Sequence, residues 1–210
     1  MNNHNDDLNV RCTVIISNQH KAQVLKTWKI LSNDLTGRGK RIFLLIFQKN
    51  PRVKSLFPCG NLEGEALLKD PSFIGHASRF MQAVGAVVDN IDNYQNALAP
   101  LLNNLGRRHV YFKGFKPEYF NSFEEAILQV FAEDLGTKFT QQAKEAWRLV
   151  FKFILMELKR GFTECLRDKG LQRSMGGETL TGNDYTLSES ERDLWGCLSN
   201  RNGSTCPCGN

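Results

Sequence analysis

Two short stretches decide the fold of this 210-residue chain: FIGHASRFM at residues 73–81 and LGRRHV at residues 105–110. They contain His76 and His109, which are 33 positions apart, far enough for two helices with a turn between them. A single histidine on an apolar helix face is usually a packed core residue. Neutral imidazole, however, is a strong ligand for iron. Two imidazoles that project into one apolar cleft can hold a flat metal complex from both faces.

The composition predicts one soluble globular domain with a substantial core. Hydrophobic residues make up 41% and charged residues 23% of the chain, both ordinary values. The formal charge of +5 comes from lysines and arginines that are spread along the chain. This mild excess suits acidic groups on a cofactor, an anionic membrane surface or simply a solvated basic face. It does not require nucleic acid, and we expect no nucleic-acid partner.

The cysteines and the N-terminus predict a cytoplasmic protein with reduced thiols. Six cysteines occur at irregular spacing, without the pattern of a zinc site. The polar, Asn-rich N-terminus does not look like a signal peptide. The apolar run at residues 42–47 is far too short to span a membrane. The cysteines are Cys12, Cys59, Cys165, Cys197, Cys206 and Cys208.

Apolar residues recur at helical spacing through most of the chain and predict an all-α fold of seven or eight helices. Ser17 is a plausible N-cap, and Asp70 followed by a proline predicts the start of another helix. Gly136 predicts a helix end, and Thr140 can cap the next helix. The run at residues 41–49 is short and apolar, so a buried strand is possible on pattern alone, although its helical neighbours favour a buried helix. Gly37 and Gly39 look like interruptions before it.

The same periodicity divides the chain into three parts. Residues 1–16 are mostly polar and are predicted to be a flexible extension. Residues 17–170 form the predicted domain. Residues 171–210 lose the helical pattern and are rich in Gly, Ser, Thr and Asn, which predicts a disordered tail. Glu189-Ser190-Glu191 in that tail is an acidic context for serine phosphorylation.

The landmarks of residues 17–170 resemble the globin family. Trp28 matches the tryptophan of the first globin helix. Phe57 follows Pro51 by six residues, as the haem-packing phenylalanine of globins follows its proline. The resemblance is greatest to neuroglobin-like and globin-X-like members, with which the chain also shares the Leu-Gly-x-x-His form at residues 105–109. It implies a globin fold around a haem pocket that holds haem b.

The resemblance also assigns the two histidines. His109 falls on the proximal histidine, which binds the iron axially, while its other ring N–H should donate to a nearby carbonyl or hydroxyl oxygen. His76 falls on the distal histidine. In neuroglobin-like and globin-X-like proteins this residue typically binds the iron itself, which makes the resting site bis-histidyl. The alternative is an open site in which His76 donates a hydrogen bond to the bound gas.

The remaining predicted cofactor-binding residues form the walls and the mouth of this pocket. Phe80 stands where many globins carry Val, so its bulk either narrows the ligand cavity or pushes His76 toward the iron. Arg79 either pairs with a haem propionate or is simply solvated. Some neuroglobin-like proteins hold a disulfide near Cys59, but no second cysteine lies between Cys59 and the distal helix, so we do not expect that switch here. The predicted wall residues are Phe43, Phe57, Phe80, Leu105 and Phe115, with Arg79 at the mouth.

Three functions follow as hypotheses. The first is reversible binding of O2, CO and NO for O2 storage, transport or sensing, without enzyme activity. The second is redox work, namely electron transfer, nitrite reduction or nitric oxide scavenging; any reductase would be a separate partner because no flavin or nicotinamide motif appears. The third is a helical interaction module without haem, which the coordinated landmarks disfavour. Membrane association would require palmitoylation of Cys12 or a tail cysteine, because the N-terminal Met1-Asn2 excludes myristoylation.

Overall fold

Eight α-helices and three short 3-10 turns build the fold in residues 14–174, the part of the chain that the computed structural model describes. No strand occurs within that range, and the all-α globin prediction of seven or eight helices is confirmed. The helices are α1 (Asn18–Leu31), α2 (Leu35–Lys49), α3 (Pro51–Lys54), α4 (Gly64–Lys69), α5 (Pro71–Asp89), α6 (Tyr94–His109), α7 (Ser122–Leu135) and α8 (Gln141–Ser174).

Side-chain caps start the helices where the sequence predicts. The Ser17 hydroxyl accepts a hydrogen bond from the backbone N–H of His20 at 3.3 Å. The Asp70 carboxylate accepts one from the N–H of Phe73 at 2.8 Å, and a proline occupies the first position of α5. Thr140 caps α8 in the same way. These bonds satisfy N–H groups that have no partner within the helix.

The apolar run at residues 41–49 belongs to α2, so the strand alternative is wrong. Gly37 and Gly39 do not interrupt the chain either, because both lie inside the same helix. A methyl group on Gly39 would lie 2.4 Å from the carbonyl oxygen of Ala77 on α5. Glycine is therefore needed at this position because α2 and α5 cross with their backbones in contact, and that contact outweighs its poor helix propensity.

The crossing of α6 and α8 is equally close. A methyl group on Gly106 would lie 2.0 Å from the carbonyl oxygen of Leu158, and one on Gly161 would lie 1.9 Å from that of Asn103. One glycine on each helix thus lets the two backbones approach at the C-terminal end of α6. That end carries His109, so the crossing fixes the position of this histidine.

Two tryptophans tie α1 to α8 in the core. The rings of Trp28 and Trp147 lie 5.9 Å apart, and the indole N–H of Trp147 donates to the buried hydroxyl of Thr27 at 2.9 Å. Gly85 of α5 packs against the Trp28 ring, where a methyl group would lie 3.1 Å from Cζ2. An aromatic side chain therefore occupies the space beside Gly85.

The packed part of the chain begins before the predicted boundary at residue 17. Val14 and Ile16 are buried. The Tyr94 hydroxyl donates to the Val14 carbonyl at 2.5 Å and accepts from the Ile16 N–H at 3.2 Å. At the other end, α8 continues past residue 170 to Ser174. The rest of the predicted flexible N-terminal extension and disordered tail, residues 1–13 and 175–210, lies outside the described range.

None of the helices in the described range is long and apolar enough to cross a membrane.

The α6–α8 contact makes a testable prediction about two glycines of α8. Gly161→Ala should destabilise the protein by about 1–3 kcal/mol because its methyl group overlaps the α6 backbone. Gly170→Ala, where a methyl group would meet no atom within 4 Å, should instead stabilise it by up to about 1 kcal/mol through helix propensity. Urea unfolding of the full-length variants measures both effects, and equal midpoints for the two variants would contradict the packing account.

Candidate functional site

His109 is oriented by the backbone of its own helix. Its Nδ1 lies 2.8 Å from the carbonyl oxygen of Leu105, one turn earlier in α6. A carbonyl oxygen can only accept, so Nδ1 carries the proton and donates. The other ring nitrogen, Nε2, is then unprotonated in the neutral ring and available as a metal ligand. The expectation that a nearby carbonyl accepts from this histidine is confirmed, with Leu105 as the acceptor.

Both site histidines are held neutral. Burial lowers the pKa of His109, although the hydrogen bond to Leu105 partly offsets it. Burial lowers the pKa of His76 to about 3, with smaller contributions from the charges of His109 and Arg79. A ring with these pKa values is unprotonated near neutral pH, which is the form that binds iron.

On the distal side, aromatic ring edges surround His76. The ring centroids of Phe43 and Phe57 each lie 4.9 Å from that of His76, at 82° and 90° to its plane. Phe43 is only 1% exposed and also contacts the rings of Phe47, Phe80 and Phe123. His76 nevertheless keeps an intermediate surface exposure. Its ring is therefore partly accessible and has apolar neighbours.

Phe80 acts on His76 indirectly. Its ring lies 5.6 Å from Phe43 and 5.3 Å from Phe123. The ring contacts of His76 are made by Phe43 and Phe57. The Phe80 ring, at the position where many globins carry Val, therefore contacts Phe43, and Phe43 in turn packs against the His76 imidazole.

On the proximal side, a second aromatic cluster encloses His109. The rings of Phe115 and Phe120 each lie 5.0 Å from the His109 ring, and Phe112 lies 5.6 Å away. Phe162 of α8 packs against Phe115 at 5.8 Å and so joins the cluster to the α6–α8 crossing. These apolar rings around the imidazole suit a cofactor with a large hydrophobic face.

Arg79 is exposed one turn of helix from His76. Among residues 14–174 no carboxylate forms an ion pair with it, and its guanidinium lies over Gly75, where a methyl group would be 3.0 Å from Nη1. Its positive charge reaches the site, since it lowers the pKa of His76. A cation in this position suits an acidic group at the rim of the site.

The structure places the predicted site residues in two groups and shows three further phenylalanines that sequence reasoning missed. Phe43, Phe57 and Phe80 lie with His76, whereas Leu105 and Phe115 lie with His109. Phe112, Phe120 and Phe123 were not assigned to the pocket. Phe120 and Phe123 fit the periodicity of an ordinary helical core, and Phe112 lies in a turn whose path the sequence does not specify. The one signal that pointed to them was the high phenylalanine content, 14 in 210 residues.

The thiols in the described range take no part in the site. Cys59 and Cys165 are both buried and free. The pKa of the Asp70 carboxylate is lowered mainly by its hydrogen bond with Ser72, and Cys59 makes a small contribution in the same direction. A disulfide between two cysteines of this range is therefore absent.

The chain belongs to the globin family, whose model matches residues 40–158, more than half of the sequence. It is 27% identical to neuroglobin of Tetraodon nigroviridis over 158 residues, which cover 73% of this chain and 97% of that protein. Neuroglobin of Danio rerio is 25% identical over 71% of this chain and 94% of its own length. The fold is similar to the crystal structure of a hexacoordinated haem protein from an anhydrobiotic tardigrade, with a TM-score of 0.67 at 24% identity over 71% of this chain and 97% of that one.

The central place of Phe43 in the distal cluster leads to a stability prediction. Phe43→Ala should lower the free energy of unfolding by about 3–5 kcal/mol, because it removes a buried ring that contacts four phenylalanines and His76. Phe112→Ala is the matched control: its ring is 52% exposed, and we expect a loss below about 1 kcal/mol. Urea unfolding midpoints compare the two, and a similar loss for both would contradict the assigned packing.

Proposed function

We propose that the protein is a haem-binding globin that holds haem b between His109 and His76 and reversibly binds O2, CO and NO. The observation that carries this proposal is the pair of neutral imidazoles, each packed against phenylalanine rings, with the later one oriented by the Leu105 carbonyl at 2.8 Å. The haem supplies the iron to which the gas binds. Membership of the globin family supports the same conclusion.

His109 is the axial ligand in this proposal. The hydrogen bond to Leu105 holds its proton on Nδ1, which leaves Nε2 for the iron and increases its basicity. Phe115 and Phe120 both contact the His109 ring and each other, with each pair of ring centroids 5.0 Å apart, and so restrict its rotation. The donor set is therefore complete on the proximal side before any cofactor enters.

His76 is the sixth ligand at rest. No hydrogen bond from residues 14–174 reaches either of its ring nitrogens, and its immediate ring neighbours are the apolar Phe43 and Phe57. Iron would supply the partner that this imidazole lacks among residues 14–174. A gas would have to compete with His76 for that iron, so its apparent affinity would fall with the fraction of open sites.

The rim of the site also fits an acidic cofactor. The exposed guanidinium of Arg79 pairs with a haem propionate in this proposal, because no carboxylate of the described range occupies it. Such a charge-assisted bond would position the haem edge without burying a charge.

The physiological role that we propose is storage, transport or sensing of O2 in the cytoplasm, without enzyme activity. The alternative is redox work: electron transfer, nitrite reduction or nitric oxide scavenging with a separate reductase. One observation favours it. The half-exposed ring of Phe112 lies 5.6 Å from the His109 ring and so connects the proximal ligand to the protein surface. The rate of autoxidation and nitrite turnover, measured beside O2 affinity, separate the two roles.

Replacement of the axial ligand tests the proposal. His109→Ala should lose haem during purification, because the bond from Nε2 to the iron is missing, and added imidazole should restore binding by occupying the vacated space. His20→Ala, which removes a histidine from the exposed start of α1, should keep its haem. The Soret absorbance per protein measures occupancy, and full occupancy of His109→Ala without imidazole would refute the axial assignment.

Replacement of the distal histidine tests the resting state. His76→Leu should convert a low-spin deoxy-ferrous spectrum into a high-spin one, since no second nitrogen then reaches the iron. His20→Leu should leave the spectrum low-spin. Anaerobic visible spectra of the reduced proteins distinguish these results. A wild-type spectrum that is already high-spin would support the open-site alternative instead.

A further inference from the structure

An exposed apolar patch lies on the proximal side of the molecule, where α6 and α8 end. It consists of Tyr111, Phe112 and Leu166, which are 37%, 52% and 49% exposed. These are three of the six large hydrophobic residues exposed in the described range. Lys169 links α8 to the turn after α6, because its ammonium lies 3.7 Å from the centre of the Tyr111 ring. Lys169 also follows Leu166 by one turn of α8. We call this surface the proximal patch.

The proximal patch is bordered by positive charge. Lys113 and Lys116 are exposed in the turn after α6, and Arg167 is exposed on α8. Of the acidic residues nearby, Asp168 pairs with Arg107 at 2.8 Å and Glu164 accepts from Asn103 at 2.9 Å, while Glu118 is exposed two positions after Lys116. An apolar centre with a basic border fits an acidic ligand that also carries aromatic or aliphatic side chains.

The chain itself carries a segment of that chemistry directly after α8. Residues 175–195 contain five carboxylates and one arginine, which gives a formal charge of −4. The same segment includes Tyr185, Leu187, Leu194 and Trp195. Its first residue follows Ser174, only six positions beyond Lys169, so the segment starts next to the patch.

We propose that residues 178–195 dock on the proximal patch of their own chain, with the carboxylates at Lys113 and Lys116 and the apolar side chains on Phe112 and Leu166. The reach is sufficient. From Lys169 to Ser174, α8 rises about 7.5 Å at 1.5 Å per residue, whereas the 14 residues 175–188 can extend to about 46 Å. A short tether also gives a high effective concentration, on the order of millimolar, so a weak contact is enough.

In this proposal the docked segment contacts Phe112 at the edge of the proximal cluster. Phe112 is the exposed member of the proximal cluster, with its ring 5.6 Å from the histidine. A separate acidic protein could use this surface only by displacing the segment. Phosphorylation of Ser190, between Glu189 and Glu191, would add negative charge and strengthen the docking.

Zero-length carbodiimide cross-linking of the full-length protein tests this contact, because the reagent joins carboxylates only to amines in direct ion-pair contact. We expect tryptic fragments that link Glu189, Glu191 or Asp193 to Lys113 or Lys116. Lys26 and Lys29, exposed on α1, are the matched controls and should not be linked to the segment. A mixture of isotopically light and heavy protein should give only unmixed pairs.

A second measurement uses lysine acetylation and leaves the folded domain unchanged. In the variant Glu189→Gln, Glu191→Gln, Asp193→Asn, the reactivity of Lys113 and Lys116 should rise several-fold while that of Lys26 and Lys29 stays constant. At 1 M salt, where the Debye length is about 3 Å, the wild type should match the variant.

Three results would overturn the proposal. Cross-links to all lysines alike would show unspecific contact, and mixed isotopic pairs would show contact between molecules. Absence of both cross-links and protection would leave the patch to a separate acidic protein. None of these readouts depends on haem, so the proposed gas-binding function can stand or fail independently.

Discussion

The close contact between the backbones of α6 and α8 positions the candidate site. Gly106 and Gly161 have no side chain to hold these helices apart. A methyl group at either position would lie within about 2 Å of a carbonyl oxygen of the other helix. Three residues after Gly106, His109 projects from the same helix end. The rings of Phe115 and Phe162 fill the space between the crossing and the imidazole. Gly106 thus helps to determine where His109 lies, which gives a physical reason for the Leu-Gly-x-x-His spacing.

Two aromatic clusters give the two histidines different surroundings. On the distal side, His76 meets ring edges only and has no hydrogen-bonding partner among residues 14–174. On the proximal side, His109 has a carbonyl acceptor that fixes its tautomer. One imidazole is therefore rigidly oriented, and the other is held only by apolar contacts. This asymmetry is what a gas-binding site requires, since one ligand must stay in place while the other can leave.

Local signals in the sequence predicted much of the fold. The caps Ser17, Asp70 and Thr140 were predictable because a side chain that bonds its own helix start needs no distant contact. Gly39 was misread because its reason, the Ala77 carbonyl, comes from another helix. The Leu105 acceptor and the Phe112 contact depend on side-chain rotation and turn geometry, which spacing does not encode. The ligand roles of the two histidines remain predictions from resemblance and chemistry.

The short stretch before α1 has a mechanical consequence. Val14 and Ile16 are buried, and the Tyr94 hydroxyl grips the backbone on both sides of Ile15. Tyr94 is the first residue of α6, the helix that ends at His109. A load on the N-terminus, such as a lipid or a fluorescent label on Cys12 two residues before Val14, would therefore act on α6 through these hydrogen bonds as well as on α1 through the chain. Single-molecule pulling from that terminus would thus load the helix that carries His109.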